Sequence, residues 1–191
     1  MKIILASKSP RRVELLSQMG FAFEQRTVEI PETIDYALPL EQIPMVIAEQ
    51  KLDAIMPYIE QDTLVISADT LVFIGQEILG KPRDLDEAFQ MLRKLSNNTH
   101  TVITGVCVWC KGKKVTFFDQ TEVRFSELTD YEIMTYLTDD KVLDRAGAYG
   151  VQDWIGTVGI ASIHGSYTNV MGLPTQKLYE VMRRFGLQAD V

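Results

Sequence analysis

Short strand-like runs and helix-like apolar periods alternate along the whole chain, and this alternation restricts the fold more than any other feature of the sequence. Lys2–Ala6 reads as a first strand. A helix is expected over Pro10–Met19, with Val13, Leu16 and Met19 at three-residue spacing, Ser9 as its cap and Gly20 as its terminator. Phe21–Arg26 reads as a short strand. Leu40–Tyr58 reads as mostly helical, with Ile43, Val46, Ile47, Leu52, Ile55 and Met56 on its apolar face and Pro44 in its first turn. Thr63–Ile74 is the most apolar strand. Asp84–Leu95 is an amphipathic helix on the stripe Leu85, Ala88, Phe89, Leu92 and Leu95, and Thr99–Trp109 then pairs with Val115–Phe125 across the turn Lys111-Gly112-Lys113. Thr129 and Glu132 make a capping box for a helix through Leu137. A strand is expected over Val158–Ile163, and Leu173–Phe185 closes the chain as a helix. The pattern is that of an α/β protein. No repeat, low-complexity segment or long Gly/Ser linker marks a boundary, so residues 1–191 read as one domain.

Charge narrows the partners. The chain carries 19 basic and 26 acidic residues, a formal net charge of −7, which argues against a broad nucleic-acid surface because such binding neutralises many phosphates. Any phosphate site must therefore be local. The apolar run Ile3–Ala6 is too short for a signal-peptide core, and nothing else approaches twenty apolar residues, so a soluble, cytoplasmic protein without a membrane partner is expected. Cys107 and Cys110 have C-x-x-C spacing but fall on an expected strand, where residues three apart face opposite sides. Two cysteines also make only half of a structural zinc site, so both are read as reduced packing residues.

Three segments carry candidate chemistry. In Ser7-Lys8-Ser9-Pro10-Arg11-Arg12 a strand ends and a helix begins with two arginines in its first turn, where the positive helix end disfavours them by some tenths to about 1 kcal/mol each. A bound polyanion reverses that sign, because free N–H groups and guanidinium forks converge there. The alternative is that both arginines point into solvent. In Leu64–Ile74 a single carboxylate, Asp69, stands between apolar runs. It must be protonated, paired or coordinating a cation, or the strand must end at Ala68 and present it at a carboxyl edge. The functional reading is a metal ligand or a general base for water; the alternative is a structural aspartate capping a turn. Lys51 and Lys81 taken singly read as surface charges. The blocks Asp144–Gln152 and Gly165–Pro174 mix glycines with polar residues, as a backbone closely approaching a ligand requires, or as two ordinary turns would. No Walker A, G-x-G-x-x-G or G-x-S-x-G motif occurs, and His100 and His164 have no partners at zinc spacing.

Taken together, Ala6–Leu16, Ile66-Ser67-Ala68-Asp69-Thr70, Gly80-Lys81-Pro82, Thr99–Val106 and the two late glycine-containing blocks resemble the Maf family of nucleotide pyrophosphatases over nearly the whole chain. The resemblance implies an α/β fold with an elongated mixed β-sheet flanked by helices, in two lobes with a cleft between them, akin to the house-cleaning ITPase-like enzymes. It implies hydrolysis of nucleoside triphosphates to the monophosphate and pyrophosphate. Asp69 matches the family's catalytic carboxylate, Glu32 an acidic residue of the segment Glu29–Thr33, and Lys51 and Lys81 the cleft lysines; Ser7, Arg11 and Arg12 would hold phosphate or base. Arg11, Thr70 and Gln152 resemble the branch acting on dTTP and UTP rather than the one preferring 7-methyl-GTP. A glutamine amide offers both the donor and the acceptor that suit the adjacent carbonyl and N–H of uracil or thymine. A divalent cation, Mg²⁺ or Mn²⁺, with Asp69 as ligand, would help neutralise the roughly four charges of the triphosphate. The sequence departs from the family pattern at Pro31 (often Asp), Val46 (often Arg), Arg145 (often Lys) and Asp153 (often Gly).

A competing class is a non-catalytic nucleotide sensor linked to cell division, and a purine-directed pyrophosphatase would share the chemistry while differing in the base pocket. Trp154 and Phe185, read as exposed, leave a homodimer open.

Overall fold

The computed structural model describes residues 1–27, 30, 34–60, 62–138 and 140–189. β1 (Lys2–Ala6) pairs in parallel with β2 (Glu24–Arg26), Leu5 opposite Gln25, and with β3 (Thr63–Ile74), Leu5 opposite Ile66. Parallel neighbours need crossover connections. Here α1 (Pro10–Gln18) lies between β1 and β2 in sequence, and α2 (Gln42–Ile55) lies between β2 and β3. β4 (Glu77–Leu79) folds back antiparallel on β3. β5 (Thr99–Cys110) and β6 (Lys113–Phe125) are joined by Lys111 and Gly112, both at positive φ (49° and 77°), the backbone a tight two-residue hairpin turn demands. β7 (Ile160–His164) is antiparallel to β6, with an irregularity between Arg124 and Phe125. The result is a mixed seven-stranded sheet of order β2-β1-β3-β5-β6-β7, with β4 on β3. The α/β expectation therefore holds, and β3 has the bounds read from the sequence.

The chain divides into two compact units. The first comprises Met1–Asp69, Thr104–Asp119 and Gly172 onward. Its core joins Ile4, Ala6, Val65 and Cys107 of the sheet to Ala48, Leu52 and Ile55 of α2. Leu52 is fully buried, a contribution of about 1.5–3 kcal/mol. Gly105 explains how β5 lies so close to α2: a Cβ there would sit 2.3–2.5 Å from backbone atoms of Pro44 and Met45. Only glycine fits. α7 (Thr175–Arg184) completes this unit with Leu178, Val181 and Met182. Both cysteines are reduced and buried, and burial pushes the Cys107 thiol up to about 11 and the Cys110 thiol upward as well. Neither is a ready nucleophile or ligand.

The second unit comprises Thr70–Ile103 and Gln120–Met171. α3 (Leu85–Leu95) starts on an Asp84 cap, carries Asp86 and Glu87 in its first turn and Arg93 and Lys94 in its last, matching its dipole at both ends. It buries Ala88, Met91, Leu92 and Leu95. Leu85 of the expected stripe is exposed instead, because it stands at the first helical position, ahead of the packed turns. α4 (Asp130–Tyr136) has the full Thr129–Glu132 capping box. α6 (Tyr167–Met171) buries Asn169, whose amide donates to the Val102 carbonyl at 3.1 Å and to Thr121 Oγ1 at 2.9 Å.

Further expectations need correction: the strand expected over Phe21–Arg26 is confined to Glu24–Arg26. Val158 is not in a strand: α5 (Trp154–Gly159) occupies that stretch, and β7 starts only at Ile160. Packing decides this, since Gly156 lies against the Val151 carbonyl and Gly159 against Phe125 and Leu128, contacts a larger residue would block. Phe185 is half-buried rather than exposed, while Trp154 is 47 % exposed as expected. Among the described residues no helix is long and apolar enough to cross a membrane.

Candidate active site

In the first unit Lys51 meets Asp69 directly and Arg12 meets the carbonyl just before it. β3 does not stop at Ala68 but runs through Asp69 to Ile74, so this carboxylate caps no turn. It is 6 % exposed, and its Oδ1 lies 2.6 Å from Lys51 Nζ on α2. Of the options open in the sequence, pairing is shown. Each charge compensates the burial of the other, and the cost of leaving either alone is several kcal/mol. Lys51 is consequently no surface lysine; its side chain is 19 % exposed. Two residues earlier, Ser67 Oγ donates to the Ala48 carbonyl at 2.6 Å, tying β3 to α2.

The segment between β1 and α1 borders the same strand. Ser9 caps α1, with Pro10 at the first helical position. Ser7 is buried; its Oγ accepts from Ser9 N–H at 3.2 Å and from Arg12 Nη1 at 3.3 Å, and its carbonyl accepts from Gln25 Nε2 at 2.7 Å. Arg12 does not point into solvent. It is 9 % exposed, and it donates through Nε to the Gly172 carbonyl at 2.8 Å and through Nη1 to the Ala68 carbonyl at 2.9 Å. Its guanidinium thus fixes the peptide unit immediately before Asp69. Arg11 is half-buried. The docking of Arg12 on two carbonyls and the hold of Gln25 on Ser7 were not foreseen from the sequence.

The second unit holds the remaining expected residues. Thr70 follows Asp69 on β3 and is half-buried. Lys81 Nζ pairs with Asp144 Oδ1 at 2.5 Å; both side chains are about 60 % exposed, so the pair is worth at most about 1 kcal/mol. The Gly80 carbonyl accepts from Gly147 N–H at 3.0 Å, and Gly147, at φ 68°, packs its Cα against Val72. Gln152 is exposed on a turn in which Asp153 N–H donates to the Gly150 carbonyl at 3.0 Å. Arg145 and Asp153, two of the positions that depart from the family pattern, form an ion pair of 2.6 Å. Glu32 lies outside the described residues, as do Pro31 and Glu29. Among the described residues no group of three or more His, Cys, Asp or Glu side chains gathers as a metal cluster.

The family model described as Maf-like protein matches residues 2–185. A dTTP/UTP pyrophosphatase of Phocaeicola vulgatus is 49 % identical over 184 residues, covering 96 % of this chain and 95 % of its own. A protein of the same name from Flavobacterium psychrophilum is 49 % identical over 178 residues, covering 93 % and 91 %. One from Porphyromonas gingivalis is 44 % identical over 188 residues, covering 97 % and 94 %. Among solved structures, a dITP/XTP pyrophosphatase of Mycobacterium abscessus aligns with a TM-score of 0.45 at 13 % identity, covering 97 % of this chain and 95 % of its own. With its model matched from β1 into the residue after α7, and with relatives at this identity over nearly their full length, the chain belongs to the Maf family.

Proposed function

We propose that this protein hydrolyses nucleoside triphosphates, dTTP and UTP foremost, to the monophosphate and pyrophosphate. The observation that carries the reading is the buried Lys51–Asp69 pair on the strand that follows the Arg12-held Ala68 carbonyl. The names of the relatives support the same activity and the same bases. Asp69 is assigned the proton of the attacking water. Lys51 holds that carboxylate at a fixed place and offsets its charge, and Arg12 fixes the backbone beneath it, so the base is preorganised rather than assembled on binding. Ser7, Arg11 and Arg12 are assigned to the phosphate or base end of the substrate, and Glu32 to a supporting acidic role. Lys81 is assigned to charge on the departing pyrophosphate, for which it would exchange its weak, solvated contact with Asp144. Arg11, Thr70 and Gln152 are assigned to the pyrimidine. One carboxylate at Asp69 fits a Mg²⁺ or Mn²⁺ ion that takes its other ligands from water and substrate phosphates, and such an ion would neutralise phosphate charge. Residues 1–191 act as one cytoplasmic catalytic domain in this reading, with exposed Trp154 leaving a homodimer open.

The site of bond cleavage tests the reading. Incubation of the full chain with dTTP and Mg²⁺ is expected to give dTMP and pyrophosphate in equal amounts, measured by ion-exchange chromatography. Formation of dTDP and inorganic phosphate would place attack at the γ-phosphorus and overturn it.

A further inference from the structure

The segment that joins β1 to α1 is held from two sides. Within it, Ser7 Oγ accepts from Ser9 N–H at 3.2 Å, a serine side chain bonded to the backbone two residues on. That bond closes only over a narrow range of the Ser7 torsion ψ, because ψ swings the following peptide, and Ser9 with it, relative to the side chain. From outside, Gln25 Nε2 on β2 donates to the Ser7 carbonyl at 2.7 Å. The direction of that carbonyl is set by the same torsion, so Gln25 holds ψ where the serine bond needs it. The parallel register, Gln25 opposite Leu5 and Arg26 opposite Ala6, brings the amide to the residue just past the end of β1. β2 is itself pinned, by the Lys2–Glu24 ion pair of 2.7 Å and by Arg26 Nη1 donating to the Tyr58 carbonyl at 3.2 Å. Gln25 is exposed, and an exposed side chain gives up rotamer freedom to make such a bond, so packing does not account for its place.

Ser7 is buried, and its Oγ also accepts from Arg12 Nη1 at 3.3 Å. A hydroxyl oxygen has two acceptor positions and one proton. With both positions filled, the proton is what Ser7 can offer a ligand. A phosphate oxygen, which only accepts, is the group it suits, and Arg12 beside it favours the same charge. We propose that Gln25 is a positioning residue for substrate binding: by holding the Ser7 carbonyl it aims the Ser7 hydroxyl proton at a phosphate oxygen of the triphosphate. The inference rests on the assignment of Ser7 to the substrate and narrows that assignment to the phosphate end. Gln25 acts through Ser7 and touches no reacting atom.

The test measures kcat and KM for dTTP with Mg²⁺, and the competitive inhibition constant of inorganic tripolyphosphate, which carries no base. Wild type, Gln25→Met, Ser7→Ala and the double variant are compared, with the melting temperature of each. Methionine is neutral, has the length of glutamine and lacks a donor. Gln25→Met is expected to raise KM and the tripolyphosphate constant by the same factor, about fivefold, with a smaller change in kcat. In the Ser7→Ala background it should change either by less than about twofold, because no hydroxyl is left to aim. Gln25→Ala supplies the answer if Gln25→Met does not fold. A merely structural role would lower the melting temperature and act alike in both backgrounds, and that result overturns the inference while the assignment of Ser7 stands. A raised KM with tripolyphosphate inhibition unmoved overturns it too, since the hydroxyl would then serve another part of the substrate. Ser7→Ala with wild-type values of both constants overturns the assignment of Ser7, and a wild type that does not turn over dTTP overturns the proposed function; the inference falls with either.

Discussion

The Asp69→Asn variant is expected to lose about 10³-fold in kcat on dTTP while binding it within a few-fold of wild type. The amide has nearly the shape of the carboxylate, so the contact geometry at Lys51, 2.6 Å from Oδ1, can persist. It cannot accept the proton of an attacking water, and it is a far weaker partner for a cation. The substitution also leaves Lys51 buried without its counter-charge, so the melting temperature must be recorded beside the rate. Retained turnover in a folded Asp69→Asn variant would remove Asp69 from the centre of the chemistry. Binding without turnover in the wild type would favour a sensor.

Acid is expected to destabilise the protein through His100. Its ring is 2 % exposed, stacks on Phe125 at 5.7 Å, meets the edge of Tyr149 at 5.4 Å, and lies 2.7 Å through Nε2 from the Tyr149 hydroxyl. Nδ1 has no hydrogen-bond partner among the described residues. Burial lowers the imidazole from 6.5 to about 4. The unfolded chain therefore takes up this proton before the folded one does. Stability is unaffected above about pH 6.5 and falls as the pH drops from there towards 4, by about 2 kcal/mol at pH 5 and about 3 kcal/mol in all. Urea unfolding of wild type and His100→Gln at pH 7 and pH 5 measures it. The variant should lose about 2 kcal/mol less between the two pH values, and equal losses would assign acid sensitivity to the carboxylates instead.

Most elements were legible where local chemistry and burial coincide. The two apolar runs of β3, the Ser9 cap with Pro10, the Thr129–Glu132 box and the Lys111-Gly112 turn each carry their signal within a few residues. α5 was not legible, because a six-residue stretch with two glycines has weak propensity for any state, and contacts with Val151 and Phe125 decide it. In the site, Asp69 stood out because a lone charge in an apolar run must be answered by something, and the sequence left open by what. Lys51, eighteen residues earlier on another element, is that answer, and periodicity gives no sign of it. The inward course of Arg12 was equally hidden. Its position in the first turn of α1 suggested an anion, whereas its Nε and Nη1 donate to carbonyls of Gly172 and Ala68, far away in sequence. The link between Tyr136 and Asp153 belongs to the same class, since a phenol and a carboxylate seventeen residues apart become partners only when α4 and α5 pack.

The central claim is a pyrophosphatase directed at uracil and thymine nucleotides, and initial rates of pyrophosphate release across dTTP, UTP, CTP, 7-methyl-GTP, GTP and ATP, with Mg²⁺ and with Mn²⁺, address it most directly. The account predicts that dTTP and UTP exceed the purine nucleotides by about tenfold or more. A preference for 7-methyl-GTP would contradict the roles given to Arg11, Thr70 and Gln152, and release from none of the six with either metal would contradict catalysis itself.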